Sequence, residues 1–239
     1  MKKFFSLVLA LAMVLVCTAV FAEAAEETAE EEFQEGAYLL HNATGETVTF
    51  VGIHDNATGT VDEVITESEP LLADETLEVH ASYAPLADAS HRLTLSFTTE
   101  SGYSAAFQTL SVEKVAIELL AADALTGATP IAFTGMLQEG NYHIVNATGG
   151  KVGMLGITSN ADGRFIGIND LADGEEGDIT FYIPGGADKE HCLTLSYLLE
   201  DGTACSFETL SIEDVTITLL APDAMTGATP IAITMEAAE

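Results

Sequence analysis

HRLTLSFTTESGYSAAFQTLSVEKVAIELL, the stretch His91–Leu120, returns one hundred residues later as HCLTLSYLLEDGTACSFETLSIEDVTITLL, the stretch His191–Leu220. When both copies are followed to Thr134 and Thr234, they are identical at 27 of 44 positions. A repeat of about 100 residues can bury a core of its own, whereas solenoid repeats are roughly 20–50 residues long. The sequence therefore predicts two copies of one folding unit.

Apolar and polar residues alternate within each copy. In the first copy, Leu93, Leu95 and Phe97 are separated by hydroxyl residues, and the next apolar run follows a turn that contains Gly102. A period of two with one apolar side is typical of half-buried antiparallel strands. Further strands are expected at 37–41, 47–53, 76–81 and 129–134. About seven short strands per module predict an all-β fold of two tandem antiparallel β-sandwich modules related by internal duplication.

A second match upstream defines the module boundaries. Glu35–Gly59 corresponds to Glu139–Gly163, at an offset of 104 residues. We expect a first sandwich module at 36–134 and a second at 140–235, joined by a short linker at 135–139. A connection this short limits the relative orientations of the two modules.

The first 35 residues have the composition of a leader. Residues 1–22 combine Lys2 and Lys3, an apolar run and a small-residue end, which predicts a signal peptide cleaved after Ala22 or two or three residues later. The alternative is an uncleaved membrane anchor, since the apolar run just reaches the span of a bilayer. Residues 23–35 contain seven glutamates, which predicts an acidic, disordered leader. A cleaved signal peptide and an uncleaved anchor would both place the modules outside the cytoplasmic membrane, either secreted or retained at the cell surface.

A set of turn and core residues resembles a known kind of module. The set consists of Tyr38, Asn42, Thr44, Gly45, Val48, Gly52 and Ile53, followed by a hairpin that ends in Thr109, Leu110 and Ser111. It resembles tandem modules in secreted proteins of gut-type Gram-positive anaerobes, which look like small β-sandwiches of uncharacterised function. The resemblance implies a fold and a secreted lifestyle, and it implies no chemistry.

The chain is strongly acidic. It has 38 acidic and 7 basic residues, a formal net charge of −31. Binding to nucleic acid needs clustered lysine and arginine to neutralise phosphates, so nucleic acid is excluded as a partner. An anionic membrane surface would repel the protein for the same reason. Acidic residues are shared by both modules, which favours solubility in a crowded exterior.

Two cysteines, Cys192 and Cys205, lie in the second module, and the first module has Arg92 and Ala105 at those positions. A three-residue turn around Gly202 would pair Leu195 with Phe207 and Tyr197 with Cys205, and would place Cys192 opposite Leu210. Alternation then directs the two sulfurs to opposite faces of the sheet. The sequence predicts two free or buried thiols.

Catalytic signatures are missing from the sequence. There is no HExxH, GxSxG or phosphate-cradling loop, and no closely spaced His/Cys cluster. Among the six histidines, only His91 and His191 occupy corresponding positions. They could be ligands, or residues at the start of a strand whose rings pack or hydrogen-bond locally. We predict that the protein is not an enzyme and that no cofactor is required.

The densest acidic segment lies in the second module, beside two glycines. Its candidate calcium ligands are Asp170, Asp173, Glu175, Glu176 and Asp178. Calcium takes six to eight oxygen ligands, so a loop with this many carboxylates could bind it. The spacing fits no EF-hand, and charge runs on turns are usually solvated. Both a calcium loop and a solvated loop stay open.

The ligand is not specified by the sequence. Three Asn-Ala-Thr triplets, which begin at Asn42, Asn56 and Asn146, match the glycosylation acceptor pattern but are also typical of turns. The chain has no Trp, and most Tyr and Phe residues are expected to face inward. The favoured function is a secreted or surface-associated, non-enzymatic binding protein for an extracellular ligand or protein. The alternatives are a structural component of an extracellular assembly and a calcium-dependent or glycan-binding module.

Overall fold

The computed structural model describes residues 33–86, 89–124, 129–221, 223–225 and 229–235. The predicted signal peptide and residues 23–32 of the predicted leader lie outside the described residues. Gln34–Glu239 forms one compact unit.

Fifteen strands and no helix occur within the described ranges, which confirms the all-β prediction. In chain order the strands are β1 (Gln34–Ala43), β2 (Val48–Asp55), β3 (Val61–Ile65), β4 (Thr76–Tyr83), β5 (Leu93–Thr99), β6 (Ser104–Leu110), β7 (Lys114–Leu120), β8 (Ile131–Ala147), β9 (Val152–Ser159), β10 (Phe165–Leu171), β11 (Glu176–Pro184), β12 (Leu193–Leu199), β13 (Ala204–Leu210), β14 (Val215–Leu220) and β15 (Ile231–Met235). No segment of these ranges is a helix with the length and hydrophobicity of a membrane span.

The first half of the unit has two layers of sheet. One layer has the order β4, β1, β7 and the first part of β8, and the other has the order β3, β2, β5, β6. β1 runs antiparallel to β4 and parallel to β7. Tyr38, Ile53, Leu95 and Phe97 belong to one buried cluster with contributions from both layers. Full burial of each such side chain stabilises the fold by roughly 1.5–3 kcal/mol.

The second half repeats the strand order of the first. Its layers are β11, the second part of β8, β14 and β15 on one side, and β10, β9, β12 and β13 on the other. The second part of β8 is antiparallel to β11 and parallel to β14, as β1 is to β4 and β7. Tyr142, Ile157, Leu195 and Tyr197 are among the residues of its buried core.

β8 belongs to both halves. Its first residues, from Ile131 to Met136, pair with β7, and its later residues pair with β11 and β14. The expected linker at 135–139 therefore consists of strand residues inside β8. The expected leader also overlaps a strand, since β1 begins at Gln34. A register shift opposite Ala116 leaves Thr134 without a partner in β7, and the sheet continues through it.

The hairpin of β12 and β13 has the expected central register. Leu195 pairs with Phe207 and Tyr197 with Cys205. Gly202 has a φ of +86°, the left-handed conformation that a three-residue hairpin turn requires. The end of the hairpin differs from the expectation, because a bulge places Leu193, and not Cys192, opposite Leu210.

Candidate binding surfaces

Two buried asparagines close the NATG turns. The side chains of Asn42 and Asn146 are 0% exposed. The Nδ2 group of Asn42 donates to three backbone carbonyls at 2.8–3.0 Å, and its Oδ1 accepts from the amide and hydroxyl of Thr44. Asn146 and Thr148 make the same contacts in the second half. Because the amides are buried and satisfied, these two triplets are structural turns and not glycan acceptors.

In each half, one buried tyrosine is hydrogen-bonded to the loop that follows the second strand of the central hairpin. The hydroxyl of Tyr38 donates to the Ser111 carbonyl at 2.8 Å, and the hydroxyl of Tyr142 donates to the Ser211 carbonyl at 2.6 Å. Burial raises the pKa of both phenols far above the ordinary value. Both tyrosines therefore serve the fold rather than acid–base chemistry.

The paired histidines are also explained by the backbone. His91 and His191 have φ angles of 56° and 52°, and their amides donate to the hydroxyls of Ser111 and Ser211. Both residues are exposed. A left-handed residue just before a strand is a turn feature, which the sequence pattern did not reveal.

The predicted free thiols are confirmed, although the reason given for them was wrong. Cys192 and Cys205 are both free, and both pack against the same core cluster. Cys205 is paired with Tyr197, whereas Cys192 precedes Leu193 at the other end of the strand. The bulge in the hairpin removes the simple alternation on which opposite faces had been inferred. Burial raises the pKa of the Cys192 thiol, which lowers its thiolate fraction at neutral pH.

A buried ion pair in the first half has no counterpart in the second. Arg92 donates to both carboxylate oxygens of Asp55, at 3.1 and 2.7 Å, and each side chain is 2% exposed. The guanidinium lies 5.0 Å from the ring centroid of Tyr83. Hydrogen bonds from Arg92 hold the pKa of the Asp55 carboxyl well below its usual range. By register, Ser159 and Cys192 take the places of Asp55 and Arg92 in the second half.

A charged cluster joins the two halves. Arg164 of the second half donates to Glu78 of the first half at 2.6 Å, and also to the Asp162 carboxylate and the Tyr182 carbonyl. The side chains of Arg164 and Glu78 are 8% and 7% exposed. Glu78 also contacts His80 at 2.9 Å, and this hydrogen bond raises the pKa of the imidazole. The cluster therefore fixes the position of the β9–β10 turn against β4.

Apolar contacts surround this cluster. Tyr182 is 4% exposed, and it forms a small buried cluster with Ala37, Leu39 and Ala116 of the first half. The Lys114 ammonium lies 5.3 Å from the centroid of the Tyr182 ring, close enough for a cation–π contact. Buried apolar area together with paired charges indicates that the halves form a fixed interface rather than two loosely linked modules.

A cleft of about 450 Å³ opens beside this interface. Thr76 and His80 of β4 line one side, and Asp162 and Phe165 line the other. Phe165 is 50% exposed, although most aromatic residues had been expected to face inward. The cleft thus combines an exposed ring with polar groups that can donate or accept hydrogen bonds.

The five predicted calcium ligands are held by separate partners. Asp170 contacts Lys151 Nζ at 2.8 Å, Asp173 the Gly149 amide at 2.9 Å, Glu175 the Ala172 amide at 2.8 Å, and Glu176 and Asp178 contact His143 at 3.3 and 2.8 Å. Only the last two carboxylates are therefore brought to one partner. Within the described part of the chain, no group of three or more His, Cys, Asp or Glu side chains is arranged to hold a metal ion.

Calcium binding can be tested directly. Because the carboxylates already have different local partners, we expect the melting temperature to be the same in millimolar calcium and in excess chelator. A ligand that binds the folded state at 100 times its Kd stabilises it by about 2.7 kcal/mol. A calcium-dependent rise that disappears in an Asp173→Asn variant would assign the metal to this loop.

His143 is the centre of an exposed polar cluster on the second half. Its contacts with Asp178 and Glu176 raise the pKa of the imidazole. Thr180, which also lines the surrounding pocket, donates its hydroxyl to Asn141 at 2.9 Å. The pocket thus holds a histidine and a carboxylate, and the hydroxyl that could complete a nucleophilic arrangement is directed to an amide.

The outer face of the β10–β9–β12–β13 sheet differs from the rest of this acidic protein. Its three central rows across the strands contain eleven paired residues, none of them charged, and the bulge opposite Thr194 places Glu208 and Thr209 at the β13 end of the first row. The rows are Phe165, Thr158 and Thr194; Gly167, Gly156, Ser196 and Ser206; and Asn169, Met154, Leu198 and Ala204. We call this surface the neutral face.

The corresponding surface of the first half is similar but less apolar. Its rows are Val61, His54 and Thr94; Glu63, Gly52, Ser96 and Ala106; and Phe50, Thr98 and Ser104. It carries one carboxylate, from Glu63, and a histidine. Two hydroxyl positions are shared, since Thr94 and Ser96 correspond to Thr194 and Ser196 of the neutral face.

On each of these surfaces an aromatic ring packs over glycine. A Cβ atom at Gly156 would come within 2.2 Å of the Phe165 ring, and one at Gly167 within 2.7 Å. In the first half the ring of Phe50 covers Gly52 in the same way, at 2.8 Å. Glycine is required because any side chain would displace the ring. The outer end of the Phe165 ring therefore packs over these two glycines, and half of the residue stays exposed to a ligand.

Comparison with known proteins identifies no family. No family model matches the chain, and no curated protein matches it.

The solved structures that are similar to it at a low level include the following three. A protein from Eubacterium rectale has 16% identity over 43% of this chain and 92% of its own, with a TM-score of 0.29. The Bacillus anthracis TIE protein has 9% identity over 78% of this chain and 33% of its own, with a TM-score of 0.22. A candidate adhesin from Bacteroides ovatus has 10% identity over 84% and 96%, with a TM-score of 0.21. At these scores the similarities carry no argument about function.

Proposed function

We propose that the protein is a secreted, non-enzymatic binding protein whose ligand lies on the neutral face. One observation carries the proposal. In a chain with a net charge of −31, eleven adjacent residues of one sheet face carry no charge, and Glu208 of the β13 bulge lies at the edge of this face. Charged side chains would keep a sheet surface soluble, so their exclusion from one face favours a surface that is desolvated on binding.

The arrangement of polar groups supports binding over catalysis. The buried Asn42, Asn146 and Asp55 side chains are satisfied by structural hydrogen bonds. In the exposed polar cluster around His143, the imidazole contacts two carboxylates, and the Thr180 hydroxyl donates to Asn141 instead. An enzyme needs a nucleophile or an activated water within hydrogen-bond reach of its base.

A ligand screen tests this proposal. The purified protein is heated with separate pools of polysaccharides, peptidoglycan fragments, mucin glycopeptides and divalent cations, and its melting temperature is recorded. We expect one pool to raise the melting temperature, because a ligand that binds only the folded state stabilises it. The same pools are analysed for reaction products. Turnover of any pool that is abolished by replacing a single polar residue would contradict the proposal.

The proposed location has its own test. Residues 1–22 are proposed to be removed on export, which leaves the two halves outside the cell. N-terminal sequencing of the protein from culture medium and from washed cells is expected to begin at or shortly after Glu23. A chain that still begins at Met1 and is found with the washed cells but not in the medium would contradict cleavage and favour the anchor.

A further inference from the structure

We infer that the neutral face binds an uncharged polysaccharide, with the Phe165 ring as the stacking platform. This inference rests on the proposed binding function and names the chemical class of its ligand. Three properties of the surface carry it: the half-exposed Phe165 ring packed over two glycines, the rows of hydroxyl groups beside it, and the acidity of the surrounding protein.

The Phe165 ring is held in a fixed position on the sheet, which is what an aromatic stacking platform requires. Phe165 is 50% exposed, and Gly156 and Gly167 let its ring lie directly on the sheet. A ring fixed in this way loses little conformational freedom when a ligand covers it. Sugar rings present C–H groups on one side, and the partly positive hydrogens of these groups are attracted to the negative face of an aromatic ring.

The rows of residues beside the ring provide polar groups that can pair with the hydroxyl groups of a sugar. Thr158, Thr194, Ser196 and Ser206 provide hydroxyls that both donate and accept, and Asn169 provides an amide. Thr194 already donates to Asn160 at 2.8 Å, so its oxygen is left to accept. Neutral donors and acceptors pair with sugar hydroxyls without the desolvation of a charge.

The surrounding charge selects among polysaccharides. Asp162 adjoins Phe165 through the cleft, and Asp201 lies at the end of the β12–β13 hairpin. With a net charge of −31, the protein repels uronic acids, sulfated glycans and other polyanions over roughly 8–10 Å at physiological salt. A neutral polymer experiences no such repulsion. The negative charge of the protein therefore favours neutral polysaccharides over anionic ones.

Other occupants fit the surface less well. A second copy of the chain would bring two strongly negative molecules together over only three exposed apolar side chains, Phe165, Met154 and Leu198. A stable protein interface buries about 800 Å² on each partner around an apolar core. A cationic peptide would be attracted to the carboxylate-rich surfaces rather than to the uncharged rows of the neutral face.

The test uses matched neutral and anionic polymers. Native gels are cast with hydroxyethylcellulose, galactomannan or arabinoxylan, and in parallel with carboxymethylcellulose or polygalacturonate. We expect the wild-type protein to be retarded by at least one neutral polymer and by neither anionic one. The Phe165→Val variant, which carries the residue found at the matching position of the first half, is expected to bind about tenfold more weakly.

Two further variants keep the test decisive. Phe133→Ala removes a phenylalanine that is 48% exposed in β8, outside the neutral face, and should bind as the wild type does. Ser196→Asp adds a carboxylate to the central row and should abolish binding even if Phe165→Val fails to fold. Retardation by anionic polymers, or equal binding by Ser196→Asp, would overturn the inference. Binding to mucin glycopeptides or cations, with no binding to neutral polymers, would overturn it while leaving a binding function in place. No binding to any pool would remove both proposals.

Discussion

Arg92→Cys is expected to lower the free energy of unfolding by about 3–5 kcal/mol, because it leaves Asp55 as a buried charge without its partner. Both side chains are 2% exposed, and Arg92 donates to both carboxylate oxygens. Asp55→Ser should have an effect of similar size, since it leaves the guanidinium unpaired. Equilibrium unfolding in urea measures both variants.

The second half provides the matched control. It folds with Ser159 and Cys192 at these two positions. The Asp55→Ser, Arg92→Cys double variant therefore installs a pair that the same strand arrangement already accommodates. We expect the double variant to be more stable than either single variant, with a coupling energy of about 2–3 kcal/mol. Additive losses would show that the two side chains act independently.

The pH dependence of this pair has a defined sign. Arg92 holds the pKa of Asp55 below its unfolded value, which is about 3.9. The stabilisation is therefore fully present above that pH, and it is lost as the pH falls through the folded-state pKa. The difference in stability between the wild type and Arg92→Cys should be largest near neutral pH and should narrow in acid. A constant difference down to pH 3 would contradict the ion-pair explanation.

Local sequence patterns predicted the strands because each strand depends on its own alternation. Leu93, Leu95 and Phe97 are buried as their period of two requires, and the central register of the second hairpin follows from the turn at Gly202. The pattern could not locate the bulge near Leu193, since a bulge is a property of paired strands and not of one strand.

Contacts between residues that are far apart in the sequence could not be predicted from local sequence patterns. Asp55 and Arg92 are separated by 37 residues, and nothing in either neighbourhood indicates that they meet. The continuation of the sheet through β8 was missed because the bounds of the two repeats, at 134 and 140, suggested a linker between them, whereas these residues pair with β7 and β11. The repeat did contain one signal of this difference. The two copies hold Arg92 and Cys192 at the same position, so their buried side chains must differ there.

The candidate surface was only half visible in the sequence. Thr94, Ser96 and Thr98 were identified as the polar side of a half-buried strand, which is correct. What distinguishes the neutral face is the absence of charge across four neighbouring strands, and that property requires the register. Phe165 was not singled out from the sequence, because its strand was not among those expected from the pattern. Its role depends on Gly156, which lies in a different strand.

Arg164→Thr is expected to destabilise the protein by about 3 kcal/mol and to loosen the contact between its halves. The first half has Thr60 at the matching position, so the substitution is compatible with the turn itself. It removes the partner of Glu78, whose side chain is 7% exposed and would retain only His80. A buried carboxylate that loses its arginine costs several kcal/mol. Glu78→Gln is the matched control, since it removes the charge but keeps a polar group opposite Arg164.

The readout separates an effect on the interface from a general loss of stability. With the halves uncoupled, calorimetry should resolve two transitions, and small-angle scattering should report a larger radius of gyration at a temperature where both halves are folded. Because Glu78 raises the pKa of His80, the stabilisation from that histidine is complete below its unfolded pKa of about 6.5 and is lost as the pH rises through the folded value. Loosening in Arg164→Thr should therefore be greater at pH 8 than at pH 5.5. One sharp transition with an unchanged radius at both pH values would mean that β8 and the Tyr182 cluster hold the halves together without Arg164.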